Sequence, residues 1–218
     1  MPRVQSKTDI LERRRQIAQA ASRVFSEKGY DACTLDDIAG LLDLKKPSLY
    51  YYIKSKKEIL SIVLDFAISE VSSNLEAICQ SQVDPAEKLQ RAVANHLNTL
   101  IRHFHPVRVY HNERKAVSAS YLSTYIAKRK NYEVMFKGIL REGVQKKLFS
   151  VKDTRLTTFM ILGMCNWITQ WYRPGGPHTL PEIIGEFTAF ILRGLGLTGR
   201  AEDTNRRRRG RNDGLRSS

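Results

Sequence analysis

The stretch Thr34-Leu-Asp-Asp-Ile-Ala-Gly-Leu-Leu-Asp-Leu-Lys-Lys-Pro-Ser-Leu-Tyr-Tyr-Tyr-Ile53 decides the fold of the N-terminal part of this 218-residue chain. Thr34, followed three residues later by Asp37, is typical of a capping box at the start of a helix. Asp43 stands at a turn where glycine is commonest, but Asp tolerates a left-handed conformation better than most residues. Pro47 suits the first turn of a second helix because its φ is fixed. The pattern predicts two short helices joined by a tight turn.

The apolar residues of this stretch predict how the two short helices pack. Ala39 is small at the point where the helices must cross closely. The spacing of the larger apolar residues lets both helices share one seam, which sets the angle between them. These residues are Ile38, Leu42, Leu44, Leu49 and Tyr52. The arrangement is that of a helix-turn-helix, a motif whose second helix enters the major groove of DNA.

Polar residues on the exposed face of the second helix, and at its start, are candidates for DNA contact: Lys45, Lys46, Ser48, Tyr50 and Tyr51. Their ammonium and hydroxyl groups can reach phosphates and base edges. Lys54 and Lys56 would neutralise backbone charge, and the amides near Thr34 could bind a phosphate. The alternative is that this basic hairpin is an ordinary solvated face of a helical bundle. The coincidence of cap, crossing residue, turn and proline favours DNA binding.

The rest of the chain has the periodicity of helices. Apolar residues recur at helical spacing over residues 9–195, and alternating β-branched runs are missing, so we predict an all-α fold. Gly29 suits a helix C-terminal cap because it is free to adopt positive φ. We expect about nine helices. Two are the short helices within 34–53, and the others cover 8 or 9 to 28, 56–80, 85–104, 107–117, 122–147, 153–172 and 181–195.

Composition limits the function classes. The chain carries a net charge of +14, which favours an anionic partner, either nucleic acid or an acidic membrane. No apolar run is long enough to cross a bilayer, and the polar N-terminus lacks the apolar core of a signal peptide, so we expect a cytoplasmic protein. Cys33, Cys79 and Cys165 are widely spaced among apolar neighbours and indicate small buried side chains rather than bridges.

Catalytic and metal-binding patterns are weak in this sequence. A phosphate loop, a nucleophile elbow and a carboxylate pair at a telling spacing are all missing. One cluster suggests a metal site: His103, His105, His111 and Glu113. Its first two histidines would point to different faces of a helix unless Pro106 breaks that helix. We therefore expect no enzymatic activity, no metal and no cofactor.

The motif resembles the DNA-binding signature of the tetracycline-repressor (TetR) family of transcriptional regulators. The resemblance is carried by Thr34-Leu-Asp-Asp-Ile-Ala and by Leu-Lys-Lys-Pro-Ser-Leu-Tyr-Tyr-Tyr-Ile-Lys-Ser-Lys-Lys-Glu-Ile-Leu60. It implies a three-helix DNA-binding domain followed by a larger helical domain that dimerises and binds a small molecule. On this basis we divide the chain into a helix-turn-helix domain (1–55), a ligand-binding and dimerisation domain (56–198) and a basic tail (199–218).

The resemblance also implies a homodimer in which the last two helices pack against their symmetry mates. The penultimate helix is apolar along one side, although a buried core helix would look the same. The residues concerned are Leu156, Phe159, Met160, Gly163, Met164 and Trp167. A two-fold dimer implies a near-palindromic operator.

The segment Asn166-Trp-Ile-Thr-Gln-Trp-Tyr-Arg-Pro-Gly-Gly-Pro177 is similar to a feature of family members that control fatty-acid or sterol breakdown and sense acyl-CoA thioesters. Trp167 and Trp171 could line an apolar pocket or stack on a flat group. Basic residues that could pair with the phosphates of such an effector are Arg173, Arg102, His103 and Arg108. The alternative is that the tryptophans form a dimer interface and that the Arg-Pro-Gly-Gly-Pro run is only a rigid loop.

The resemblance implies that an effector shifts the long helix 56–80, alters the separation of the two recognition helices and releases the operator. Activation by a bound ligand would use the same parts.

The tail contains Arg206-Arg207-Arg208-Arg209 and almost no large apolar side chain, so we expect it to be disordered. The tail alone could make the chain a non-specific nucleic-acid binder, the alternative function. We expect it instead to be an accessory to the specific domain.

Overall fold

The computed structural model describes residues 7–107 and 119–197. Within these two stretches all regular secondary structure is helical, which confirms the all-α prediction. Residues 104–107 are helical, and the other helices are α1 (Lys7–Lys28), α2 (Leu35–Gly40), α3 (Lys46–Tyr52), α4 (Lys56–Gln80), α5 (Pro85–Arg102), α6 (Ala119–Gln145), α7 (Thr154–Asn166), α8 (Ile168–Trp171) and α9 (Leu180–Gly194). The tail 199–218 and most of the predicted helix 107–117 lie outside the described residues.

The first three helices pack on one another, and α1 also packs on α4. Gly29 ends α1 with φ at +82°, and its amide donates to Phe25 O at 3.0 Å, as the capping prediction requires. Large apolar side chains from all four helices are fully buried together: Ile17, Phe25, Ile38, Leu49 and Leu60. This small core fixes the orientation of α3.

The long helix α4 joins the two halves of the molecule. It contacts α1, and it also contacts α5 and α6. The domain boundary at residue 55 therefore stays a prediction, because α4, which begins just after it, packs against helices on both sides of that boundary. Any change in the direction of α4 is transmitted to the first three helices through their shared core.

Helix α5 lies at the centre of the second half and contacts α4, α6, α7, α8 and α9. Its buried stripe repeats at intervals of three and four residues. The stripe consists of Leu89, Ala92, Val93, His96, Leu97 and Leu100. One of these residues, His96, is polar, and its partners determine the character of the cavity described below.

The prediction of one helix over 153–172 is wrong, because the structure has two helices, α7 and α8, separated at Trp167. At this break the Gln170 amide donates to Trp167 O at 2.9 Å, a bond to the third residue back instead of the fourth. The carbonyl of Asn166 accepts from the hydroxyl of Thr169 at 2.9 Å. Apolar periodicity carries no information about such hydrogen bonds.

None of the described helices is long and apolar enough to span a membrane.

Candidate nucleic-acid interface and ligand cavity

The predicted capping box at Thr34 is present. Asp37 N donates to Thr34 Oγ1 at 3.1 Å, while Thr34 N donates to Asp37 Oδ2 at 2.8 Å. After α2 the chain turns at Asp43, whose φ is +51°, so the expected left-handed turn is present as well. The Leu44 amide closes the turn on Ala39 O at 3.0 Å. Local hydrogen bonds therefore set the angle between α2 and α3.

Helix α3 buries one side and exposes the other. Leu49 is fully buried, whereas Tyr50 and Tyr51 keep 49% and 69% of their surface exposed. Lys45, Lys46 and Ser48 are exposed at the start of the same helix. Two tyrosine rings on a water-facing helix leave apolar surface in contact with solvent, although the Tyr51 ring also touches that of Tyr52, with ring centres 5.0 Å apart. The structure thus brings the five predicted α3 contacts together on an accessible surface, which we call the reading surface.

Ion pairs offset the acidic residues beside the reading surface. Lys46 Nζ lies 2.9 Å from Asp36 Oδ2, and this hydrogen bond raises the pKa of Lys46. Lys28 Nζ lies 2.5 Å from Asp37 Oδ1, and this bond, together with the Thr34 amide, holds the pKa of Asp37 far below its usual range. Exposed pairs of this kind are weak, so a phosphate can displace Asp36 from Lys46.

Lys54 and Lys56 differ in their surroundings. The Lys54 side chain is exposed, and no ion pair to it is present in the described part of the chain. Lys56 Nζ donates to three carbonyls of the loop between α1 and α2: Tyr30 O at 2.8 Å, Asp31 O at 3.1 Å and Cys33 O at 3.0 Å. Three bonds use all the donors of an ammonium group. This placement departs from the expectation that Lys56 faces phosphates, because the loop carbonyls occupy it instead.

Arg14 is a positioning residue that the sequence reasoning missed. Its Nη1 donates to Tyr52 O at 3.1 Å, and its Nη2 lies 2.7 Å from Glu58 Oε1. Glu58 also accepts from the Lys54 amide at 2.6 Å. Arg14 thereby ties α1 to the last carbonyl of α3 and to the first turn of α4. Arg14 and Tyr52 are 38 residues apart in the chain, so no local sequence pattern could have indicated this role.

A cavity of about 300 Å³ lies between α4, α5, α6 and α7. Its lining is mostly apolar, as expected of a small-molecule site. The apolar residues are Leu64, Ala67, Ile68, Val71, Leu100, Val107, Phe159 and Leu162. We call this the effector cavity.

A buried polar triad crosses the effector cavity. His96 Nδ1 lies 3.1 Å from Tyr132 Oη, and His96 Nε2 lies 3.1 Å from Asn166 Oδ1. Because the amide oxygen only accepts, Nε2 carries a proton, and in the neutral ring Nδ1 accepts from the tyrosine hydroxyl. Burial raises the pKa of Tyr132, which keeps that hydroxyl neutral. The triad presents a hydrogen-bonding patch within an apolar wall.

Arg129 and Glu133 of α6 complete the polar part of the effector cavity. Arg129 Nε lies 3.2 Å from Glu133 Oε1, and the neighbouring Lys128 Nζ lies 2.5 Å from Asp65 Oδ1. Sequence reasoning missed these residues and the triad. The available signal was a polar residue inside an apolar helical stripe, as at His96.

None of the predicted ligand contacts within the described residues lines the effector cavity. Trp167 is 65% exposed, and Trp171 lies at an exposed position with its ring 6.5 Å from that of Phe187. Arg173 is exposed on a loop. Arg102 and His103 line a different cavity, and Arg108 lies outside the described residues. The structure therefore separates residues that the sequence reasoning had grouped.

Helices α7 to α9 carry large apolar side chains that face water in the single chain. Trp167 and Phe190 are 65% and 62% exposed. Others with substantial exposure are Leu156, Phe159, Met160 and Trp171. Exposed apolar surface of this extent marks an interaction site. This apolar face includes most of the residues predicted for the dimer interface.

A metal site among the histidines finds no support in the described residues. No group of three or more His, Cys, Asp or Glu side chains in ranges 7–107 and 119–197 is arranged to hold an ion. His111 and Glu113, which the sequence grouped with His103 and His105, lie outside those ranges.

Comparison with known proteins identifies two family regions. Residues 17–62 match the family described as bacterial regulatory proteins, tetR family. Residues 82–195 match the tetracyclin repressor-like C-terminal domain. The chain is 26% identical to the HTH-type transcriptional repressor KstR2 of Mycobacterium tuberculosis, over 85% of this chain and 94% of that protein.

Solved structures show the same fold. PfmR of Thermus thermophilus is 32% identical, with a TM-score of 0.73 over 82% of this chain and 98% of that one. AibR, solved in complex with isovaleryl coenzyme A and operator DNA, is 22% identical, with a TM-score of 0.69 over 83% and 98% of the two chains. This chain belongs to the TetR family of bacterial regulatory proteins, helix-turn-helix DNA-binding transcriptional regulators.

Proposed function

We propose that this chain is a homodimeric repressor whose α3 helices read a near-palindromic operator and whose effector cavity takes the small molecule that releases it. The observation that carries the proposal is the reading surface, where Tyr50 and Tyr51 are exposed on a helix whose other side is buried. The function is regulatory rather than enzymatic.

At the operator, Lys45, Lys46, Ser48, Tyr50 and Tyr51 contact bases and phosphates in the major groove. Tyrosine hydroxyls bond to phosphates while their rings pack on sugars or thymine methyls. Outside the groove, Lys54 neutralises a phosphate, and the first amides of α2, next to Thr34, bind another. The proposal omits Lys56, because three loop carbonyls occupy its ammonium group.

Dimerisation through the apolar face of α7 and α9 buries the exposed aromatic side chains. Trp167 and Phe190 are its largest exposed members. In a two-fold dimer the same side chains of both protomers are buried in the interface. The same two-fold axis relates the two reading surfaces, which accounts for a near-palindromic operator.

For the effector we propose an acyl-CoA thioester. AibR, which shares this fold, binds isovaleryl coenzyme A, and KstR2 is described as a ketosteroid regulator. A cavity of about 300 Å³ is small for a ligand site, so it accommodates the acyl part alone. The phosphates of coenzyme A carry charges that are costly to bury in an apolar wall. They lie near Arg129, which lines the cavity, and the neighbouring Lys128, where they compete with Glu133 and Asp65 for these two cations.

Release follows from the position of α4. This helix lines the effector cavity with Leu64, Ala67, Ile68 and Val71, and it also contacts α1. An effector that prefers one direction of α4 selects one separation of the two reading surfaces. Repression is lifted if that separation does not match the half-sites, since only a difference in affinity between conformers shifts their populations.

The test is selection of bound sequences from random duplex DNA at near-physiological salt, followed by binding measurements with variants. We expect a near-palindromic consensus, and we expect Lys46→Ala and Tyr51→Ala to weaken binding to it. Lys152→Ala is the matched control, because Lys152 is exposed but lies between α6 and α7. An acyl-CoA titration of the complex then tests release. Absence of any enriched sequence, or equal loss of binding with Lys152→Ala, would contradict the proposal.

A further inference from the structure

A second cavity lies between α1, α4 and the end of α5. Its volume is about 640 Å³. It shares no lining residue with the effector cavity, which lies along the same stretch of α4 but is lined by other residues of that helix. It is therefore a separate feature of the molecule, and the proposed repressor mechanism does not use it.

The floor of this interhelical cavity is apolar. Ala18 of α1 and Val63 of α4 are buried there, and Phe66 leaves 37% of its surface exposed. An aromatic ring left partly open above a buried apolar floor gains free energy when an apolar group covers it. The floor thus fits the hydrocarbon part of a small molecule.

The rim is polar and carries three arginines and one carboxylate. Arg15, Arg23 and Arg102 line it, and Glu70 pairs with Arg102. Arg15 and Arg23 pair with Glu12 and Glu27 within α1, and all four side chains are more than half exposed. Exposed pairs within a helix are weak, so these guanidinium groups can turn toward an anion.

His103 lines the same cavity and has an unsatisfied hydrogen-bond acceptor buried beside it. Its Nε2 lies 3.1 Å from Glu70 Oε2, and the carboxylate can only accept, so Nε2 carries the proton. Burial and the nearby Arg102 lower the pKa of His103, which keeps the ring neutral. Its Nδ1 then holds a lone pair, and this buried atom has no hydrogen-bond partner in the described part of the chain. A buried acceptor without a donor is costly, and a ligand hydroxyl would remove that cost.

We propose that this interhelical cavity is a second small-molecule site, for a hydroxylated amphipathic organic anion. The apolar body covers Phe66, and the anionic group pairs with Arg15 and Arg23. The hydroxyl donates to His103 Nδ1 after a small side-chain movement opens this atom, which is closed to solvent in the unliganded chain. The proposal does not depend on the identity of the effector in the other cavity.

Occupation of this site affects DNA binding through α1. The same helix carries Arg14, which holds the last carbonyl of α3 and Glu58 of α4. A ligand wedged between α1 and α4 favours one angle between them and hence one position of α3. The site is therefore a second input to the regulator.

Isothermal titration calorimetry of the full chain tests the proposal, with 3-hydroxydecanoate and decanoate as probes. We expect the hydroxylated probe to bind about tenfold more tightly, as one hydrogen bond to a buried acceptor allows. His103→Leu removes the acceptor and should abolish this preference. Ser22→Phe, which fills the cavity from α1, should weaken both probes about tenfold or more.

Controls separate this site from general effects. Ser73→Phe makes the same change at an exposed α4 position outside both cavities and should leave binding unchanged. Ser26→Phe, at an exposed position on the rim, replaces Ser22→Phe if that variant does not fold. The proposal is overturned if neither probe binds, if the cavity-filling variants bind as the parent does, or if the hydroxyl preference survives His103→Leu.

Discussion

Lys54 and Lys56 are two residues apart, yet the structure gives them different tasks, and a pair of alanine variants can distinguish these tasks. Lys54 extends into solvent beside the reading surface. Lys56 donates three hydrogen bonds to carbonyls of the α1–α2 loop and lies 4.6 Å from the centre of the Tyr30 ring. Lys54→Ala should therefore change DNA binding, and Lys56→Ala should change stability.

The magnitudes follow from the number of contacts. Each phosphate contact contributes about 0.9 to the slope of log K against log salt concentration, and a dimer loses two contacts per substitution, so Lys54→Ala should lower the slope by about 1.8. The loss should be nearly uniform across operator sequences, because a phosphate contact carries no base information. Lys56→Ala should leave the slope unchanged and lower the free energy of unfolding by about 2 kcal/mol, as expected for charge-assisted hydrogen bonds.

Fluorescence anisotropy with a labelled operator at several salt concentrations measures the slope, and urea denaturation measures stability. Lys152→Ala is the control for removal of a positive charge far from the reading surface. The reasoning is refuted if Lys56→Ala lowers the salt slope as much as Lys54→Ala does while its stability matches that of the parent chain.

Further predictions concern the core, the cap, the triad and the dimer. Leu49→Ala should destabilise the chain by about 2–5 kcal/mol in urea denaturation, because its side chain is fully buried. The pKa of Asp37 is lowered by folding, so its contribution is present above the unfolded value near 3.8 and is lost as the pH falls below it. Asp37→Asn should accordingly reduce the difference in urea midpoint between pH 6 and pH 3. His96→Leu should weaken acyl-CoA binding by about tenfold in calorimetry without changing operator affinity, because it removes the polar patch from the effector cavity. Phe190→Lys should shift the chain toward monomer in analytical ultracentrifugation, and a dimer of unchanged strength would exclude this face as the interface.

What the sequence by itself determined was local. The capping pair Thr34 and Asp37, the left-handed turn at Asp43 and the cap at Gly29 depend on residues a few positions apart, so their pattern is visible in the chain. The apolar seam of the helix-turn-helix follows from periodicity within one short stretch. For the same reason the family resemblance was strongest there.

Tertiary structure decided the features that depend on distant residues. The triad joins His96, Tyr132 and Asn166 from three helices, and helical periodicity alone does not specify which helices meet. Trp167 was predicted to contact a ligand, but the break between α7 and α8 leaves it on the surface. In the sequence Lys56 cannot be distinguished from other basic residues, because only the folded chain brings the loop carbonyls to its ammonium group. In each case the physical cause is packing between elements far apart in the chain, which sets the surroundings of a side chain without leaving a pattern next to it.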